Sequence, residues 1–128
     1  MKQKKVAIIG STGSIGKQAL EVIEHHKDRL SVEVLTANSQ ADLLIEQALR
    51  FDPNAVVIAD KNQYQKVKEA LASTDIKVFA GQEALEEIVQ METIDIVLTA
   101  IVGFAGLKPT LKAIEAKKPI ALSNKETL

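Results

Sequence analysis

Apolar residues along this chain recur in two alternating patterns. Short segments rich in aliphatic residues predict six strands at 6–9, 32–35, 55–59, 76–79, 94–99 and 119–122. The first is an unbroken apolar run, which is typical of a strand buried on both faces of a parallel sheet. Between the strands, apolar residues recur every three or four positions, which predicts helices. The clearest helical stripe comprises Ala41, Leu44, Ile45, Ala48 and Leu49.

This alternation predicts the fold class. A strand-helix unit repeats five times at a spacing of about 20 to 25 residues, and a last strand follows. Such spacing requires right-handed crossovers between parallel strands. We therefore expect an α/β fold, a Rossmann-type doubly wound parallel sheet of at least six strands with helices on both faces. Because the 128 residues contain no linker or low-complexity stretch, we expect one domain, 1–128.

Composition narrows the functional classes. Apolar residues make up 46% and aromatic residues 3%, so the core must be aliphatic. A net charge of −1 gives no attraction to nucleic acid or to an anionic membrane. The absence of cysteine excludes disulfides and thiolate sites from the chain. No apolar run approaches the roughly 20 residues that span a bilayer. We expect a cytoplasmic protein that binds neither nucleic acid nor membranes.

Three glycines stand between the first predicted strand and the first predicted helix, at Gly10, Gly13 and Gly16. A helix N-terminus offers unpaired N–H groups and the positive end of the helix dipole, both suited to phosphate. Glycines let the backbone approach a pyrophosphate closely, and Thr12 and Ser14 add hydroxyl donors. The segment predicts a site for a nicotinamide dinucleotide. The alternative is a tight turn without a ligand, which also needs glycine.

The end of the second strand indicates which nicotinamide cofactor is bound. NAD-binding domains place Asp or Glu there to hold the ribose 2′-hydroxyl, whereas this chain has no carboxylate at 36–40. That absence favours NADP modestly, and Asn38, Ser39 and Gln40 could donate hydrogen bonds to a 2′-phosphate. In the alternative interpretation, Asn38 or Ser39 caps the following helix.

Two later segments also carry candidate chemistry. Small residues and two glycines at 99–106 follow the fifth strand and suit a loop beneath a flat nicotinamide ring, although a plain strand-helix turn has the same composition. Three polar residues, Asn124, Lys125 and Glu126, follow the sixth strand. They indicate either a ligand site or ordinary surface polarity.

Taken together, the segments 10–16, 100–107 and 124–126 resemble the 1-deoxy-D-xylulose 5-phosphate reductoisomerase family, and the resemblance extends over essentially the whole chain. It implies an N-terminal NADPH-binding domain whose catalytic and C-terminal domains are absent from these 128 residues. The family rearranges and reduces 1-deoxy-D-xylulose 5-phosphate to 2-C-methyl-D-erythritol 4-phosphate in non-mevalonate isoprenoid biosynthesis. The resemblance also implies a divalent metal, Mg or Mn, with ligands beyond residue 128, and a homodimer. This chain alone is then expected to be inactive.

Carried over residue by residue, the resemblance assigns substrate binding to Lys125. No catalytic residue and no metal ligand falls within the chain. The cofactor-binding residues are Gly10, Thr12, Gly13, Ser14, Ile15, Asn38, Ser39, Gln40, Ala100, Asn124 and Glu126.

One departure from the family pattern concerns residues 38–40. Family members often carry Gly-Lys-Asn there, so this chain lacks a lysine beside the expected 2′-phosphate. Two other functions stay open at this point: another NAD(P)-dependent Rossmann oxidoreductase, or a non-catalytic NADP-sensing module. The adjacent His25 and His26 point about 100° apart on a helix, so they are poor chelators.

Overall fold

A computed structural model describes residues 3–99 and 120–122 of the chain. Within them, all six predicted strands are confirmed, with ends that differ from the predicted ones by at most two residues. The helix predicted around Leu107, Leu111 and Ile114 lies outside the described residues. The strands are β1 (Lys4–Ile9), β2 (Leu30–Ala37), β3 (Ala55–Ile58), β4 (Lys77–Ala80), β5 (Ile96–Thr99) and β6 (Ile120–Leu122). The helices are α1 (Ser14–His25), α2 (Ala41–Phe51), α3 (Tyr64–Ala70) and α4 (Gln82–Ile88), with a short 3₁₀ helix (Lys61–Gln63) before α3.

The strands form one parallel sheet in the order β4-β3-β2-β1-β5-β6. From β1 the chain moves outward through β2 and β3 to β4, then crosses back so that β5 lies on the other side of β1. The strand order therefore reverses between β1 and β5. Ligands of doubly wound sheets bind outside the carboxyl ends of the strands at such a reversal. The predicted fold class is confirmed, and it places a crevice beside Ile9 and Thr99.

Apolar layers cover both faces of the sheet. Val6 and Ile8 of β1 belong to a buried cluster that also contains residues of α1, α2 and α3. Ala7 and Ile9 point to the opposite face and pack in a second cluster with residues of α4. The alternation of neighbouring strand residues between faces explains this division. Because neither face of the central strands meets water, β1 from Val6 to Ile9 and the whole of β3 are continuous aliphatic runs.

The two longest helices are rotated slightly from their apolar stripes. Leu49 of α2 is 58% exposed and Val22 of α1 is 53% exposed, whereas Gln47 of α2 and Gly16 of α1 are buried. The prediction that Leu49 faces the core is wrong, because the buried face of α2 includes a polar residue that reaches the turn after β1. Among the described helices, none has the length and apolar character needed to cross a membrane.

Candidate cofactor site

The turn after β1 is tied to the end of β2. Gly10 has a φ of 87°, a left-handed conformation that glycine adopts without strain. Its N–H donates to Oγ1 of Thr36 over 3.0 Å, and the Ser11 N–H donates to the carbonyl oxygen of Thr36 over 2.8 Å. These two bonds fix where the chain leaves the sheet. The turn therefore begins at the carboxyl edge, beside the crevice.

Gly16 is required by packing. A Cβ built there would lie 2.4 Å from the carbonyl oxygen of Gly10 and 2.6 Å from Cα of Ser11, both of which are backbone atoms. No side chain fits, because the first turn of α1 rests directly on the chain that leaves β1. The third glycine of the motif therefore sets the position of α1 relative to the turn.

Gly13 has a different explanation. Its φ of −78° and ψ of 171° are open to any residue, and a Cβ there would lie 3.7 Å from the Gly10 carbonyl oxygen, an ordinary contact. Neither backbone strain nor packing within the described residues requires a glycine at this exposed position. What its missing side chain does provide is open space in front of the α1 N-terminus. That is the space a pyrophosphate needs for close approach to the backbone.

The N-terminus of α1 favours an anion. Its N-cap residue, Gly13, supplies no side-chain cap, and its first turn contains no acidic residue. The first N–H groups of the helix and the positive end of its dipole consequently face outward without a carboxylate beside them. Of the predicted neighbours, Ser14 is exposed and Ile15 is half-buried, while Thr12 is only 8% exposed. Ser14 therefore offers the more accessible hydroxyl.

The predicted 2′-phosphate residues lie at the end of β2. Asn38, Ser39 and Gln40 are all exposed, and α2 begins after them with Gln40 as an N-cap that makes no side-chain capping bond. The Ala41 N–H instead donates to the backbone oxygen of Ser39 over 2.9 Å. The alternative in which Asn38 or Ser39 caps α2 through its side chain is therefore wrong. All three polar side chains stay available to a ligand.

The acidic residues around this segment already have partners. Asp42, in the first turn of α2, lies 2.7 Å from Nζ of Lys66 on α3. Oδ1 of Asp60 accepts from the N–H of Asn62 over 3.0 Å, and the Asp60 N–H donates to the Asn38 carbonyl oxygen over 2.8 Å. The end of β2 thus presents amide and hydroxyl groups, while the carboxylates of Asp42 and Asp60 contact other groups. Because residues 36–40 include no carboxylate, nothing within this segment repels a phosphate.

A polar contact from α2 that was not predicted from the sequence also holds the turn. Nε2 of Gln47 on α2 donates to the carbonyl oxygen of Ser11 over 2.9 Å, and the Ser11 hydroxyl donates back to Oε1 of Gln47 over 2.7 Å. The same hydroxyl lies 3.2 Å from the Thr36 carbonyl oxygen. A signal was present, because Gln47 occupies the position three residues after Leu44, inside the buried face of α2.

The remaining predicted site residues, Ala100, Asn124, Lys125 and Glu126, lie outside the described residues. The strands that precede them are described. Thr99 at the end of β5 pairs with Ile9 on one side and with Leu122 of β6 on the other. Both segments therefore follow strands that end at the same edge as the glycine turn.

Titratable groups give no sign of a metal centre. No three His, Asp or Glu side chains within residues 3–99 are grouped so that they could hold a metal ion. His25 ends α1 and His26 is its C-cap residue, and neither belongs to such a group. On the solvent side of α1 and α2, a hydrogen bond from Arg50 lowers the pKa of the Glu24 carboxyl. That pair joins two helices and contributes nothing to the turn.

Comparison with known proteins decides between the dinucleotide-binding families. A family model described as 1-deoxy-D-xylulose 5-phosphate reductoisomerase matches residues 6–128. The chain belongs to this family. Reductoisomerases from Bacteroides fragilis and Phocaeicola vulgatus are 59% and 58% identical to it, over 100% and 98% of the chain. The chain spans about one third, 33%, of the length of these curated relatives.

Solved reductoisomerase structures share the fold. The Zymomonas mobilis enzyme in complex with NADPH aligns with 99% of the chain at a TM-score of 0.93 and 43% identity, the chain covering 33% of that structure. A reductoisomerase in complex with NADPH, fosmidomycin and magnesium aligns with 98% of it at a TM-score of 0.92 and 38% identity, the chain covering 31%. The resemblance identified from the sequence is confirmed.

Proposed function

We propose that residues 1–128 form the NADPH-binding domain of a 1-deoxy-D-xylulose 5-phosphate reductoisomerase, with the cofactor pyrophosphate bound at the N-terminus of α1. The observation that carries the proposal is Gly13. The conformation and the packing of the protein require glycine at 10 and 16. At 13 they also permit a larger residue, and the glycine there leaves the α1 N-terminus open to the close approach of a ligand. A relative with 43% identity is described as a complex with NADPH, which supports the same reading.

Two groups of described residues suit two different parts of the cofactor. The first N–H groups of α1, the dipole of that helix and the Ser14 hydroxyl suit the pyrophosphate. Asn38, Ser39 and Gln40 suit the 2′-phosphate, since amide and hydroxyl donors form hydrogen bonds to phosphate oxygens. No carboxylate at 36–40 repels that phosphate. Hydrogen-bond donors thus take the role that a lysine has in many family members.

The chemistry of the longer protein extends this proposal. Bound NADPH supplies the hydride that reduces the rearranged substrate to 2-C-methyl-D-erythritol 4-phosphate. Following the family pattern, Ala100, Asn124 and Glu126 complete the cofactor site, and the Lys125 ammonium group suits the anionic sugar phosphate. Related structures contain magnesium, whereas the described residues of this chain contain no group of three or more His, Asp or Glu side chains that could hold a metal ion. The homodimer and the cytoplasmic location stay predictions.

Family membership removes the alternative of an unrelated Rossmann oxidoreductase. A non-catalytic NADP-sensing module would keep the turn and the donors at 38–40 but would not need a cation at position 125. No observation on the described residues favours it over the reductoisomerase domain.

The proposal is tested by calorimetric titration of this chain with NADPH and, side by side, with NADH. We expect tighter binding of NADPH, because the exposed donors at 38–40 gain a phosphate partner only with that cofactor. Equal or tighter binding of NADH would overturn the NADP assignment. Binding of neither nucleotide would overturn the claim that this chain contains a self-sufficient cofactor site.

A further inference from the structure

Gln47 of α2 forms two hydrogen bonds to Ser11 of the glycine turn. Its side-chain amide uses both ends on one residue of the turn: Nε2 donates to the Ser11 carbonyl oxygen over 2.9 Å, and Oε1 accepts from the Ser11 hydroxyl over 2.7 Å. Ser11 has no exposed surface and Gln47 is 6% exposed. The pair therefore lies in the interior between the turn and α2, out of reach of any ligand.

Packing alone does not explain a glutamine at this position. Burying an amide costs free energy unless its hydrogen bonds are made, and an apolar side chain of the same length would fill the space without that cost. The described residues leave no buried side-chain nitrogen or oxygen atom without a partner. Both polar atoms of the Gln47 side chain therefore have a partner on Ser11, one on its backbone and one on its hydroxyl, so the amide is specific to the turn.

The hydrogen bond from Gln47 to the Ser11 carbonyl oxygen also orients the N–H of Thr12. A trans peptide is planar, with its carbonyl and its N–H pointing in opposite directions. Because Gln47 holds the Ser11 carbonyl toward α2, the N–H of Thr12 in the same peptide points away from α2. In the described part of the chain, that N–H donates to no other group. Among the residues that the structure describes, it is therefore an unused donor at the turn where the pyrophosphate is proposed to bind.

We propose that Gln47 is a positioning residue for the cofactor: by holding Ser11 it directs the Thr12 N–H outward as a donor to the pyrophosphate. This inference rests on the proposed function, because it names the donor that the turn gives to NADPH. The Thr36 bonds to Gly10 and Ser11 fix where the turn begins. Gln47 fixes how the peptide after Ser11 is rotated.

The test uses Gln47→Met, which keeps the side-chain length but removes both hydrogen bonds, and Ser11→Ala, which removes only the hydroxyl. Gln65→Met is the matched control, since Gln65 is an exposed helical glutamine whose side chain bonds only Glu69. For each chain we would measure amide hydrogen exchange and the affinities for NADPH and NADH. Exchange needs no cofactor, so it reports on the turn whether or not the nucleotide binds.

For Gln47→Met we expect affinity to fall roughly tenfold, the size of effect that follows when a buried hydrogen-bonding partner is lost. The loss should be equal for NADPH and NADH, because both contain the pyrophosphate. Exchange of the Gly10 and Ser11 amides should accelerate while β3 amides keep their rates. Ser11→Ala should give a smaller loss, and Gln65→Met none.

Three results would overturn the proposal. One is a folded Gln47→Met chain that binds both nucleotides as tightly as the unmodified chain. Another is faster exchange spread evenly over the sheet, which would make Gln47 a general stabilising residue. The third is unchanged exchange in the turn. If the unmodified chain bound neither nucleotide, the proposed function would fail, and the part of this inference that concerns the cofactor would fail with it. Faster exchange confined to the turn of the Gln47→Met chain would still show that Gln47 holds Ser11 in place.

Discussion

Alanine substitutions at Gly13 and Gly16, the second and third glycines of the turn, should separate effects on stability from effects on cofactor binding. In Gly16→Ala, the new methyl group would lie 2.4 Å from the Gly10 carbonyl oxygen, against 3.4 Å for an ordinary contact. Because the obstructing atoms are backbone, α1 must move by about 1 Å from the turn. Overpacking of this kind costs about 1–3 kcal/mol. Because three backbone atoms lie within 2.4 to 2.7 Å of the new methyl group, we take the upper part of that range, about 2–3 kcal/mol. Alanine returns about 1 kcal/mol of helix propensity, so we expect a net loss of about 1–2 kcal/mol.

In Gly13→Ala the balance differs. The methyl group would meet the Gly10 carbonyl oxygen at 3.7 Å, and the backbone conformation suits alanine. Alanine is a poorer N-cap than glycine by about 0.5–1 kcal/mol, and the smaller entropy of the unfolded chain returns about 0.4–1 kcal/mol. Stability should therefore change by less than about 0.5 kcal/mol. NADPH affinity should nonetheless fall by at least about tenfold, because the methyl group occupies the space of the pyrophosphate.

Urea unfolding followed by circular dichroism gives the stabilities, and calorimetric titration gives the affinities. A Gly13→Ala chain that binds NADPH as tightly as the unmodified chain would refute the explanation that Gly13 leaves space for the pyrophosphate. A Gly16→Ala chain as stable as the unmodified one would show that α1 does not rest on the turn as described.

Further predictions concern the core, the cofactor preference and pH. Leu44 has no exposed surface, so Leu44→Ala should lower the free energy of unfolding in urea by about 2–5 kcal/mol. Leu49 on the same helix is 58% exposed, so Leu49→Ala should change it by less than about 0.5 kcal/mol. Equal effects would contradict the orientation of α2. Ser39→Glu should weaken NADPH binding and spare NADH binding in paired titrations, because a carboxylate repels the 2′-phosphate; an unchanged preference would place that phosphate elsewhere. Arg50→Gln should lower the melting temperature at neutral pH, and the difference from the unmodified chain should vanish on acidification. The reason is that Arg50 lowers the pKa of Glu24, so the stabilisation is lost as the pH falls through that lowered pKa; a difference that persists in acid would contradict the pairing.

The central strands could be predicted from sequence because they are buried on both faces. Val6–Ile9 of β1 and the whole of β3 are buried and aliphatic, whereas β4 at the edge of the sheet contains no buried residue. Strand ends were less predictable. β1 begins at Lys4 because its polar start still pairs with Leu30. β2 contains an extra residue at Glu33, where the register shifts, and its buried carboxylate accepts from the Asn54 side chain over 3.1 Å.

The glycines of the turn that face the ligand could be predicted from sequence, but the buried hydrogen bonds that hold the turn could not. Gly10 and Gly13 mark the turn in the sequence, because a left-handed backbone at 10 and close approach of a phosphate at 13 both favour glycine. Gln47 could not be connected to Ser11 from sequence alone, since the contact joins positions 36 residues apart. It depends on the rotation of α2, which the apolar stripe through Leu49 predicted wrongly.

Isotope-edited NMR of this chain during NADPH addition tests the central claim most directly. We expect the largest shifts in the amides of residues 12–15, around the α1 N-terminus, and a second set at 38–40 that is weaker with NADH. Shifts centred on the open groove beside β4, lined by Lys68 and Phe79 among others, with the glycine turn unaffected, would contradict the account.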